Sequence, residues 1–202
     1  MTQPFDPVNM KKLDNEARIR LLAPRQTLIK LGYKQGDSLA DIGCGTGVFT
    51  LPAADIGGSG AVIYAIDISE AMLHEVARRA QESGRKNIMT IPTNGVELAL
   101  GDQSVNFVLL CTVLHEVAQP EKILAETFRI CRPGGKIAVI DFNATDQGFG
   151  PPLQHRLPAD RCHALLKAAG YSETEETAVS AAFYAVTGVR APRLETDGLL
   201  VK

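Results

Sequence analysis

Apolar residues along this chain fall into short continuous runs rather than into alternating polar and apolar positions. Five runs, Ser38 to Ile42, Ala61 to Ile66, Asn87 to Ile91, Val105 to Cys111 and Lys136 to Phe142, have the length of strands. None alternates strictly, which is the pattern of a strand buried on both faces. Between them the spacing changes to that of amphipathic helices, at roughly Val48 to Asp55, Ser69 to Ser83, Pro120 to Cys131 and Ala159 to Ala169. Such alternation predicts a parallel sheet covered by helices.

The punctuation agrees with these boundaries. Ser69 can cap the second helix and Gly84 can stop it. Pro120 suits the first turn of the third helix, and Arg132, Pro133, Gly134 and Gly135 make an exit and turn before the next strand. After Gly170, the runs Tyr171 to Val179 and Ala182 to Val189 are separated only by Ser180 and Ala181, as in an antiparallel hairpin at the sheet edge. The expected fold is α/β: a Rossmann-like, seven-stranded, mostly parallel sheet with an antiparallel C-terminal hairpin and helices on both faces. Ile19, Leu22 and Leu28 have helical spacing, broken or restarted at Pro24, so the segment before Ser38 is expected to cap the sheet. Pro192 and Gly198 lie in a polar end that reads as a loosely held tail or as an arm for an oligomer. Residues 1–202 are expected to form one domain, with a cap over 1–37, a core over 38–190 and a tail over 191–202.

Composition narrows what this fold can serve. At 202 residues and 45% hydrophobic, one sizeable core is expected. The 21 Lys and Arg against 23 Asp and Glu give a net charge of -2, so no overall basic field draws a phosphate backbone and nucleic acid is not the expected partner. Arg18, Arg20, Arg25 and Lys30, and later Arg78, Arg79, Arg85 and Lys86, are basic clusters that read equally as local patches or as solvated helix faces. Met1 to Lys12 lacks the apolar centre of a secretory signal, and the apolar run Phe107 to Leu114 is too short to span a bilayer; a cytoplasmic location without a membrane span is expected. Cys44, Cys111, Cys131 and Cys162 form no C-x-x-C pair and suit reduced structural thiols better than disulfides or zinc.

The chemistry is carried by Asp41, Ile42, Gly43, Cys44, Gly45, Thr46, Gly47, set directly after a strand and before a helix. Glycines there can take positive φ and let a ligand approach the backbone beside free helix N–H groups; a tight strand-to-helix turn is the plainer reading. Asp67 ends the second predicted strand. A carboxylate at that point can accept hydrogen bonds from vicinal ribose hydroxyls, and it can equally flank the next helix favourably. A nicotinamide fingerprint, G-x-G-x-x-G, would need glycine at position 48, where Val48 stands.

With glycines spaced G-x-G-x-G after an acidic residue, the chain resembles the class I S-adenosylmethionine-dependent methyltransferases over about Ser38 to Asp141, most strongly the small-molecule branch that includes quinone and menaquinone methyltransferases. Asp102 to Leu110 and Arg132 to Lys136 add to the likeness. The resemblance implies S-adenosylmethionine as cofactor, with Asp41, Gly43, Cys44, Gly45 and Gly47 around its methionine portion and Asp67 with Ile68 at its ribose. It also implies Met72 beside the adenine and Cys111 at the pocket. Where that family often has an acidic reader of the adenine amino group, this chain has Asn94 with Gly95, uncharged but still an acceptor.

Methyl transfer by direct displacement needs alignment above all. A base is needed only where the acceptor must lose a proton, and His115 with Glu116 follows the fourth strand at the place that would face the methyl group. His115 also reads as a pocket contact, or as a helix cap. Arg156, in the loop Gly150 to Pro158 with His155, could clamp an anionic acceptor or lie on the surface. The expected activity is methyl transfer to a small-molecule acceptor. A noncatalytic S-adenosylmethionine-binding module and an NAD-dependent oxidoreductase are the alternatives.

Overall fold

A computed structural model describes residues 13–145 and 148–191. The chain opens with two short helices, α1 (Glu16–Leu22) and α2 (Pro24–Lys30). Pro24 does restart the helix: it occupies the first turn of α2, where its missing N–H costs nothing. The sheet and its crossovers follow as β1 (Leu39–Ile42), α3 (Thr50–Gly57), β2 (Ile63–Asp67), α4 (Glu70–Glu82), β3 (Ile88–Pro92), β4 (Val105–Cys111), α5 (Pro120–Ile130), β5 (Cys131–Phe142), α6 (Ala159–Ala168), β6 (Tyr171–Ala178) and β7 (Phe183–Arg190). Single turns of 3-10 helix at Leu114–Glu116 and Leu153–His155 interrupt the connections.

The seven strands lie in the order β3-β2-β1-β4-β5-β7-β6. Strands β1 to β5 are parallel, and β7 pairs antiparallel with both β5 and β6. From β1 the chain builds outward to β3 on one side and then returns to build β4 and β5 on the other. The strand order therefore reverses between β1 and β4, where open α/β sheets leave a crevice beyond the strand ends. Register places Ile42 level with Ile66 and Leu110, so β1, β2 and β4 end together on one edge.

Each central strand is buried on both faces, with the pleat dividing its side chains. Ala40, Ile42, Val108, Leu110, Ile137 and Val139 pack with Ile123, Leu124 and Ile130 of α5 and Leu166 of α6. Leu39, Ile63, Phe107, Leu109, Ala138 and Ile140 pack on the opposite face with Leu22 and Leu28 of the N-terminal helices and Ala53 of α3. Ala65 meets Leu73 and Val76 of α4. This two-sided burial is why the strands read as continuous apolar runs. The edge strand β6 instead exposes Glu173 and Glu176, charges that discourage pairing with another sheet.

Two expectations about local structure need correction. The predicted turn Arg132 to Gly135 lies inside β5, because Cys131 already pairs with Val105 and the register then shifts before Phe107. Gly134 at φ +77° absorbs the irregularity, and Arg190 of β7 satisfies the carbonyls of Phe128, Arg129 and Cys131 where α5 runs into the strand. The helix expected from Val48 starts at Thr50, which lengthens the glycine loop. No helix among the described residues is long and apolar enough to cross a membrane. Most of the expected tail, 192–202, and positions 1–12 lie outside the described residues.

Candidate active site at the C-terminal edge of the sheet

The glycine loop follows β1 in the reversal crevice. Gly43, Gly45 and Gly47 have φ of +67°, +53° and +86°. Their reasons differ. A Cβ on Gly43 would sit 2.3 Å from Val113 Cγ2, so this position is closed by the protein itself. Among the described residues, a Cβ at Gly45 would meet only Leu13 of the N-terminal segment, at 3.1 Å, so bare backbone there faces the space beneath the cap.

Two carboxylates flank this loop. Asp67 Oδ2 accepts the Gly45 N–H at 2.9 Å and Oδ1 accepts the Ser69 N–H at 2.9 Å. Both oxygens are thereby fixed in direction while keeping lone pairs for further donors. Asp41 is buried, and Thr50 Oγ1 donates to its Oδ2 at 2.6 Å. Burial pushes its carboxyl up to about 7, against the Thr50 hydrogen bond, and the neighbouring Asp67 charge adds to the rise. Cys44 is buried in the same loop and burial, with the charges of Asp41 and Asp67, pushes its thiol well up. Ile68, 51% exposed, lies beside Gly95, whose Cβ would fall 3.5 Å from it.

The N-terminal segment ties this loop to its surroundings. Thr46 Oγ1 donates to Asp14 Oδ1 at 2.8 Å, and the Arg79 guanidinium of α4 grips the same carboxylate through both terminal nitrogens at 3.1 and 2.6 Å. Arg18 reaches Thr112 Oγ1 at 3.0 Å. Thr112 stands at φ +56°, a backbone state that is costly for a β-branched residue. Its N–H donates to Ile140 at 2.7 Å, which fixes the turn that follows β4.

That turn delivers His115. Its Nδ1 lies 2.8 and 3.0 Å from the two carboxylate oxygens of Asp141, near the end of β5. On the other side, Nε2 is 3.7 Å from Glu116 Oε1. Burial pulls the His115 pKa down, but the Asp141 hydrogen bond and charge, helped by Glu116, lift it above its ordinary value. Glu116 is also raised, first by burial, with the charge of His115 acting against it. Cys111, at the end of β4, is a free thiol pushed up to about 12 by burial. The other three cysteines are free as well.

Several expected site residues are engaged elsewhere. Asn94 Oδ1 accepts the N–H groups of Val96 and Glu97 at 3.0 and 2.9 Å, forming a local turn in an open cleft shared with Pro92, Thr93 and Leu98. Met72 is buried. Arg156 is not a surface group. It is buried, and it donates to the carbonyls of Asn143, Thr145, Phe149 and Pro151, stapling the loop after β5. Of the early and late basic clusters, Arg78, Arg79 and Arg85 pair with Glu75, Glu82, Asp14 and Asp55. Asp141 escaped the sequence reading. Its signal was available, since it is a lone carboxylate near the C-terminal end of an apolar strand, as Asp41 and Asp67 are.

Comparison with known proteins bears on this edge. A family profile described as a methyltransferase domain matches residues 40–139. The demethylmenaquinone methyltransferase of Symbiobacterium thermophilum is 32% identical over 119 residues, covering 58% of this chain and 47% of that protein. The ubiquinone/menaquinone biosynthesis C-methyltransferase of Legionella pneumophila is 34% identical over 127 residues, covering 62% and 50%. The chain thus spans about half the length of the curated relatives it matches. A crystal structure of a SAM-dependent methyltransferase from Aquifex aeolicus superposes with a TM-score of 0.89 at 27% identity, covering 93% of this chain and 100% of that one.

Proposed function

Because this chain belongs to the class I S-adenosylmethionine-dependent methyltransferase family, we propose that it binds S-adenosylmethionine beneath its N-terminal cap and methylates a small organic acceptor. The observation that carries this reading is the meeting of bare backbone at Gly45 with the preoriented carboxylate of Asp67. The residues fit the cofactor's chemistry. Asp67 offers acceptor lone pairs to ribose hydroxyls, exposed Ile68 beside Gly95 offers an apolar rest for a flat base, and Asp41 places negative charge near a cationic ligand.

Bound S-adenosylmethionine supplies an activated methyl group on a positively charged sulfonium. What the chain adds is alignment, exclusion of water and a place for the acceptor's proton. Leu13 over Gly45, with Asp14 and Arg18 anchored on Thr46 and Thr112, roofs the hollow from the N-terminal side. His115 is the base when the acceptor must lose a proton. The names of the relatives supply the acceptor class to try first, a quinone of the demethylmenaquinone kind, whose reduced form carries ring hydroxyls.

Isothermal calorimetry with S-adenosylmethionine and S-adenosylhomocysteine tests the binding. Asp67→Ala removes a charged acceptor, a loss of about 1.5–3 kcal/mol, so affinity falls about ten- to a hundredfold. Wild-type affinity in this variant, with its fold verified by circular dichroism, removes the proposed site.

A further inference from the structure

Asp141 is completely buried, at 0% exposure, and turns both carboxylate oxygens toward one ring nitrogen of His115. It also accepts the Phe142 N–H at 2.8 Å through Oδ1. With two oxygens at 2.8 and 3.0 Å, Nδ1 is placed to donate its hydrogen to the carboxylate. The ring is held from the side by Phe142, whose ring meets it edge-on at 5.8 Å between centroids. A buried pair of this kind is weak evidence for stability, since the desolvation of both partners offsets their attraction. Its geometry instead defines the opposite nitrogen.

We propose that Asp141 is a positioning residue: it holds His115 with Nδ1 protonated, leaving Nε2 bare beside Glu116 to take a proton from a hydroxylated acceptor. The inference rests on the methyl-transfer reading above and extends it. Nε2 lies 3.7 Å from Glu116 Oε1, too far for a direct hydrogen bond, so its lone pair is not consumed there. Glu116 is 35% exposed along its side chain and leads from the ring to solvent. In the proton transfer, the acceptor's O–H bond breaks and its electron pair stays on oxygen. The proton joins Nε2, Asp141 stabilises the resulting imidazolium, and the proton then leaves to water past Glu116. The acceptor class that needs this service carries a weakly acidic hydroxyl, phenolic or enolic. A neutral amine, already nucleophilic, does not.

The charges that face His115 set the pH dependence. Asp141 on β5 and Glu116 on the adjoining turn favour the charged ring, while Arg156 from the loop after β5 opposes it. The base must be neutral, so turnover falls as pH drops through a value above the ordinary one for histidine. Asp141→Asn takes away the carboxylate that raises this value, so the acidic limb moves to lower pH.

Nitrogen-15 NMR of the free wild-type protein reads the tautomer directly. Neutral His115 is expected to carry its hydrogen on Nδ1, and a hydrogen on Nε2 overturns the proposal without any variant. In Asp141→Asn, the His115 titration is expected to shift to lower pH, and kcat on reduced demethylmenaquinone-type acceptors to fall about a hundredfold or more. Affinity for S-adenosylhomocysteine is expected to stay unchanged. An unmoved titration, or wild-type kcat, overturns it. Calorimetry separates the two readings. Absence of S-adenosylhomocysteine binding in the wild type defeats the methyl-transfer reading and leaves the tautomer result standing, whereas tight binding with wild-type turnover in Asp141→Asn defeats the positioning role alone.

Discussion

Gly43 gives the most direct test of how the glycine loop is built. An alanine there carries two separable penalties. The first is conformational: at φ +67° a residue with a Cβ is disfavoured by about 1–2 kcal/mol. The second is steric, because the new methyl would lie 2.3 Å from Val113 Cγ2 and 3.2 Å from Cγ1. Overpacking of this kind costs about 1–3 kcal/mol after relaxation. Gly43→Ala is therefore expected to lose about 2–5 kcal/mol, a large share of a typical domain's stability. Val113→Ala removes both offending methyls from a half-buried side chain and alone costs about 1 kcal/mol. In the double variant the clash disappears and only the backbone strain and the lost methyls remain, so the double variant is more stable than the sum predicts by about 1–3 kcal/mol. Urea denaturation of the four proteins measures this coupling. Simple additivity would show that Gly43 is required for its φ alone, and the steric half of the account would be wrong.

Two further outcomes follow from buried charges. Asp41, raised to about 7 by burial, must ionise to favour a cationic ligand, so S-adenosylmethionine affinity should rise about tenfold per pH unit toward pH 7 and level off above it. Calorimetry from pH 5.5 to 8 checks this, and a slope that persists in Asp41→Asn would assign the effect to another group. In the free protein the sign is opposite: the folded state holds the Asp41 proton more tightly than the unfolded chain, so this group's contribution to stability declines as pH rises toward 7. Arg156→Met removes the guanidinium that donates to the carbonyls of Asn143, Thr145, Phe149 and Pro151 and should cost about 2–5 kcal/mol, read by urea denaturation. Arg156→Lys should recover little, because one ammonium cannot span four carbonyls, and full recovery would contradict the staple.

The strands were readable because their burial is local information. Val105–Cys111 matches its apolar run to the residue, and Ser69 caps α4 through its own side chain, as expected. What escaped depends on contacts distant in sequence. Arg18 meets Thr112 across 94 residues, and His115 meets Asp141 across 26. Neither spacing has a periodicity to reveal it. Arg156 failed for a different reason: in sequence it is a charged residue in a polar loop, and only the folded path of that loop surrounds it with carbonyls. The Arg132 to Gly135 turn misled because its glycines serve an irregularity in pairing with β4 rather than a chain reversal.

The positions that break local rules are not scattered. Among the described residues, the buried polar or charged side chains are Thr27, Asp41, Thr46, Thr50, Asp67, Thr127, Asp141 and Arg156. Thr27 and Thr127 answer to local structure, each donating to a nearby backbone carbonyl, Leu22 and Leu124. The other six lie at or beyond the C-terminal ends of β1, β2 and β5, together with strained Thr112 after β4. If stability alone had shaped this edge, apolar side chains would serve as well as buried carboxylates and a guanidinium. The cores on the two sheet faces follow their patterns while one edge accumulates desolvated charge and backbone strain. That concentration is what a binding and proton-handling edge requires, because groups fixed in advance and shielded from water act more strongly on a ligand than the same groups in solvent.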